Sequence, residues 1–84
     1  MKKRTIVTWE ELEEGEIYYI ERQLESEIVS YIAQYIELDH ESKWPLKIFK
    51  LISKSENSVL MVRNDNNFPL SKSTVDAVCV IYKL

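Results

Sequence analysis

Five runs of β-branched and aromatic residues, set apart by polar connections, fill about half of this 84-residue chain. They cover residues 17–24, 27–38, 46–52, 58–63 and 75–82. Such residues favour extended backbone, because their side chains pack well on a pleated surface. The connections carry the opposite signal. Asn64, Asp65, Asn66 and Asn67 form the strongest turn in the chain, since both residue types tolerate positive φ and hydrogen-bond their own backbone. Pro45 marks the start of the third run. In the last run, Val75, Ala77, Cys79 and Ile81 alternate with Val78, Val80 and Tyr82, the period of a strand. The predicted fold is therefore mostly β: a small five-stranded antiparallel SH3-like barrel or curled sheet, with a short N-terminal helix. Closure would remove exposed edges, which are a hazard in a chain so rich in strand formers. The chain forms a single small domain, residues 1–84, and a chain of this length buries only about 60% of its unfolded surface.

Residues 27–38 read in two ways. Glu27, Ser30, Gln34, Glu37 and Glu41 fall at steps of three and four, which is the polar stripe of a helix. Between them lie Ile28, Val29, Tyr31, Ile32, Ala33, Tyr35, Ile36 and Leu38, a set typical of a buried strand. We favour a long, bent strand, because no good cap precedes Ile28. An α+β fold with a helix at 27–38 is the alternative.

Upstream, Thr8 and Glu11 have the spacing of a capping box, which predicts one or two helical turns over about 8–14. Gly15 is the only glycine and sits where a left-handed terminus needs a residue without Cβ. The stretch from Trp9, Glu10, Glu11 and Leu12 through Gly15 to Ile17, Tyr18, Tyr19 and Ile20 resembles the opening of SH3-like small barrels. There, a short turn and a glycine lead into a first strand of aromatics. The resemblance covers about the first twenty residues and implies no functional residue.

Charge is divided along the chain. Residues 10–41 hold eleven acids against one base, Arg22, while residues 43–84 hold seven bases against three acids. The net charge of −3 conceals this polarity. A one-signed surface steers oppositely charged partners. Several classes of function lack their parts. With one glycine there is no phosphate-cradling loop. His40 is the only histidine, so a zinc site of the usual kind lacks its ligands, and a Ser-His-Asp constellation could use only His40 while no serine has an elbow motif around it. Cys79 lies among Val78, Val80 and Ile81 and reads as a small buried hydrophobe. No enzyme activity, no metal and no cofactor are expected. One cysteine fits a reducing compartment. No run reaches membrane-spanning length, and Met1-Lys2-Lys3-Arg4 leads into polar residues, so a cytoplasmic location without membrane association is expected.

These features point to a protein-binding module that docks an acidic face on a basic surface of a partner. The candidate contacts are Glu10, Glu11, Glu13, Glu14 and Glu16, with Trp9 as aromatic anchor. Small size and the absence of a catalytic constellation suit an inhibitor or adaptor of phage or mobile-element type. An alternative is a single-stranded nucleic-acid binder using Lys47, Lys50, Lys54 and Arg63, interleaved with aromatics. The acidic pI of about 5.1 argues against it. A third is a self-associating assembly subunit, because Tyr18, Tyr19, Tyr31 and Tyr35 exceed what one small core easily holds.

Overall fold

In the computed structural model, residues 5–39, 43, 45–55 and 66–84 are described. The predicted strand at 58–63, with Arg63, lies outside them, as do His40, Glu41, Trp44, Asn64 and Asp65. Among the described residues, six strands form one antiparallel sheet: β1 (Thr5–Val7), β2 (Ile17–Gln23), β3 (Ile28–Asp39), β4 (Leu46–Lys54), β5 (Asn67–Ser71) and β6 (Cys79–Lys83). Their order across the sheet is β1-β6-β2-β3-β4-β5. A 3-10 turn spans Trp9–Glu11, and one helix, α1, spans Lys72–Val78. The mostly-β prediction holds. The predicted strand set is corrected, because Thr5–Val7 and Asn67–Ser71 also pair, with Thr5 opposite Lys83 and Phe68 opposite Phe49.

Among the described residues the sheet is not closed, since β1 and β5 each have a single strand neighbour there. It is strongly curled nonetheless. Trp9 follows β1 by two residues, yet its indole N–H donates to the Leu70 carbonyl oxygen of β5 at 3.0 Å. The turn after one edge strand thus touches the other edge strand.

Residues 27–38 belong to a strand, and the helical alternative is overturned. The register explains the mixed signal. Pairing with β4 shifts between Ile32 and Ala33 and again between Tyr35 and Glu37. The extra residue is Ile52 of β4 at the first shift and Ile36 of this strand at the second, and an extra residue bends its strand and resets which face the following side chains occupy. Ser30 and Gln34 share the outer face, and the reset at Ile36 carries the spacing on to Glu37, so steps of three and four arise without a helix.

The N-terminal helix shrinks to a single 3-10 turn. The Glu11 carboxylate accepts the Thr8 backbone N–H at 2.9 Å, so the glutamate does reach back to the cap. Leu12 then turns extended, at φ −65° and ψ 134°, and enters the core. Gly15 takes φ 89°. Its N–H donates to the Tyr35 carbonyl oxygen at 2.7 Å, and its own carbonyl accepts from Gln34 Nε2 at 2.9 Å. A Cβ at Gly15 would meet nothing within 4 Å, so the requirement is backbone conformation and not space. Gly15→Ala should cost about 1 kcal/mol from the left-handed backbone alone. A urea titration reads this, and a stability gain would refute the conformational argument.

The strand predicted at 75–82 is corrected over its first half. Lys72–Val78 is a helix, capped by Ser71, whose hydroxyl accepts the Thr74 N–H at 3.2 Å. The Lys72–Asp76 pair, 2.7 Å apart and four residues along, supports it. Alternation in Val75, Ala77, Cys79 and Ile81 outweighed these local signals in the sequence reading.

The core fills the inside of the curl. Tyr35, Phe49 and Phe68 lie in register across β3, β4 and β5. Phe49 stacks on Phe68 at 5.7 Å, and Tyr31 meets Phe68 edge-on at 5.3 Å. Tyr18, Ile20, Ala33, Leu70, Val75 and Ile81 complete the cluster. Tyr18, Tyr31 and Tyr35 are all buried, so the core holds three of the four tyrosines that had suggested an excess. Tyr19 lies on the outer face.

Candidate protein-binding groove

Trp9 is held in place from two sides. Its indole N–H is tied to Leu70, and the Lys47 ammonium sits 4.2 Å from its ring centroid. Lys47 also donates to the Trp9 carbonyl oxygen and lies 5.3 Å from the Tyr35 ring centroid. Lys47 is only 7% exposed. Burial pushes its pKa below the ordinary lysine value, with Glu10 opposing the shift. Two aromatic faces and one carbonyl give this cation a partly compensated site. The register makes the position understandable. Lys47, Phe49 and Leu51 are alternate residues of β4 and share the inner face, and the long lysine stem packs there.

Beside Trp9 an open groove of about 730 Å³ runs along Pro45, Leu46, Ser71, Lys72, Ser73 and Asp76. Pro45 and Leu46 provide an apolar wall at the start of β4. Ser71, Lys72, Ser73 and Asp76 form a polar lip at the start of α1. Lys72 is shared by two carboxylates, Glu10 at 2.9 Å and Asp76 at 2.7 Å. These contacts raise the Lys72 pKa, and the hydrogen bond from Lys72 is the main reason Glu10 titrates below its usual range. The lysine charge is therefore consumed at the lip.

The predicted acidic contacts divide by what they already do. Glu10 pairs with Lys72, and Glu11 caps the 3-10 turn. Glu13, Glu14 and Glu16 are exposed around Gly15. They lie close enough to the core tyrosines to disfavour ionisation there: Glu13 and Glu16 at Tyr18, Glu14 at Tyr35, in each case after burial itself. Asp76 lines the groove, and Asp39 is opposite its wall residue Leu46. Glu25 and Glu27 sit at the far end of β2, where the chain turns into β3.

The basic candidates are not gathered. Lys47 is buried under Trp9. Lys50 is opposite Gln34 on the outer face, and Lys54 is opposite Tyr31, which points into the core, so the two belong to different faces. The reset at Ile52 separates them. Arg63 lies outside the described residues.

Pro45, Leu46, Ser71, Lys72 and Asp76 are groove residues that the sequence reading did not single out. The Ser71-Lys72-Ser73-Thr74 cap signal could have placed the helix start there. Elsewhere, Cys79 is half-buried near Arg22, and burial raises its thiol pKa. No cluster of three or more metal-ligating side chains occurs among the described residues, and none of their helices is long and apolar enough to cross a membrane. No protein family, curated protein or solved structure matches the chain.

Proposed function

We propose that this chain is a non-catalytic protein-binding module that seats an apolar side chain of a basic partner segment in the groove beside Trp9. The observation that carries the reading is that Trp9, immobilised by Leu70 and Lys47, borders an apolar groove whose polar lip includes Asp76. An ordered aromatic wall binds with little further loss of side-chain entropy. Glu13, Glu14 and Glu16 supply the potential that draws a basic partner and sets its register. An inhibitor or adaptor role follows from this mode of recognition. An SH3-like small barrel is the scaffold in this reading, supported by the curl that brings Trp9 onto β5. The single-stranded nucleic-acid alternative has less support, because Lys47 is buried and Lys50 and Lys54 face apart.

The test is association kinetics with a basic, apolar-anchored peptide selected from a random library. The triple variant Glu13→Lys, Glu14→Lys and Glu16→Lys changes only exposed positions. It should slow association about tenfold at low salt and flatten the salt dependence. An unchanged salt dependence would sink the acidic-border reading. Leu46→Asp should abolish peptide binding, and survival of binding would remove the groove.

A further inference from the structure

The sheet face turned away from the core has an apolar row of its own. Ile6 is opposite Tyr82, Tyr82 opposite Tyr19, and Tyr19 opposite Ile32, which places one continuous row across β1, β6, β2 and β3. Ile6 is 63% exposed, and Tyr19 and Tyr82 lie ring to ring at 5.9 Å on this surface. Monomeric proteins seldom leave such continuous apolar surface unused.

Two charges flank this row. Glu21 of β2 is opposite Ser30, and Lys50 of β4 is opposite Gln34. Ser30, Ile32 and Gln34 are successive outer-face residues of β3, so Ile32 lies midway between the two charges. Each is one strand across and two residues along, roughly 8 Å from Ile32 by strand geometry. The arrangement is self-complementary. A two-fold axis lying along the face at Ile32, square to the Glu21–Lys50 diagonal, brings Glu21 of each copy over Lys50 of the other. The strand edges offer a poorer route. β1 has three residues, and β5 carries Pro69, which has no N–H to donate.

We propose that the outer sheet face pairs two copies of this chain, with the Tyr19–Ile32 row at the centre and two reciprocal Glu21–Lys50 contacts at the rim. The surface is separate from the groove beside Trp9, so a dimer leaves that groove open. A few exposed side chains make a small interface, and association is expected at the weak end of the range.

Sedimentation velocity on the full chain, from roughly 10 μM to 1 mM, tests the pairing where small interfaces associate. The mean mass should rise towards twice that of the monomer. Glu21→Lys or Lys50→Glu alone sets like charges together and should weaken dimerisation about tenfold. An equimolar mixture of the two variants should restore it, because each then supplies the charge the other lacks. Ile6→Glu, at an exposed position on a short edge strand, should weaken dimerisation without unfolding the chain. Circular dichroism confirms the fold of each variant. A monomer at all concentrations overturns the proposal, and so does self-association that ignores the reversals or is not restored by mixing.

Discussion

Phe49→Ala should destabilise the chain by about 3–5 kcal/mol, which is most of the stability a domain of this size possesses. Phe49 is completely buried, stacked on Phe68 at 5.7 Å and set against Tyr35 at 5.4 Å. It lies at the middle of the Tyr35–Phe49–Phe68 row, so truncation opens a hole beneath three strands at once. The neighbours are flat rings fixed by their own strands, and they cannot collapse far into the gap. Urea titration followed by tryptophan fluorescence measures the change. A loss below about 1 kcal/mol would mean that Phe49 is not in the core. Phe49→Leu should recover part of the loss by refilling some of the volume.

The second large effect is alkaline. Burial, with a smaller contribution from Cys79, pushes the Tyr31 hydroxyl up to about 12, while Arg22 beside it pulls the other way. The unfolded tyrosine ionises near pH 10. The folded state therefore prefers the neutral phenol. This contribution is complete below pH 10 and is lost as pH rises through about 12. From pH 7 to 12 the chain should lose about 2 kcal/mol more stability than Tyr31→Phe, which has no proton to release. At pH 7 that variant should be nearly neutral, because no protein partner of the Tyr31 hydroxyl is found among the described residues. Parallel loss in both proteins across this range would contradict the assignment. Tyr18 and Tyr35 are shifted in the same direction and will steepen the decline in both.

Much of the architecture was legible in the residues. The aromatic and β-branched runs at 17–24 and 46–52 became β2 and β4, and the harder stretch at 27–38 became β3 once bulges account for its spacing. What escaped notice was short or tertiary. Thr5–Val7 is too brief to show a period and is a strand only because β6 lies beside it. At Lys72–Val78, a serine cap and one ion pair outweighed strand-forming side chains. Trp9 was visible as an anchor because interface hot spots favour tryptophan over the carboxylates around it. Its groove was not, because Pro45 and Leu46 come from the other half of the chain. Lys47 illustrates a different lapse. Its alternation with Phe49 placed it on the inner face, but a lysine invites an exposed reading until the rings that receive it are seen.

The placement of β6 between β1 and β2 bears on how the chain emerges from a ribosome. The β2–β3–β4 meander pairs neighbours in sequence and can form as each strand appears. The slot beside β2 stays vacant until Lys83 is clear of the exit tunnel, some sixty residues after β2 was made. Over that interval one edge of the growing sheet has nothing to pair with, and β1 has no strand to join. Completion of the sheet thus waits for β6, and until it arrives the nascent meander carries an open edge that other chains can reach.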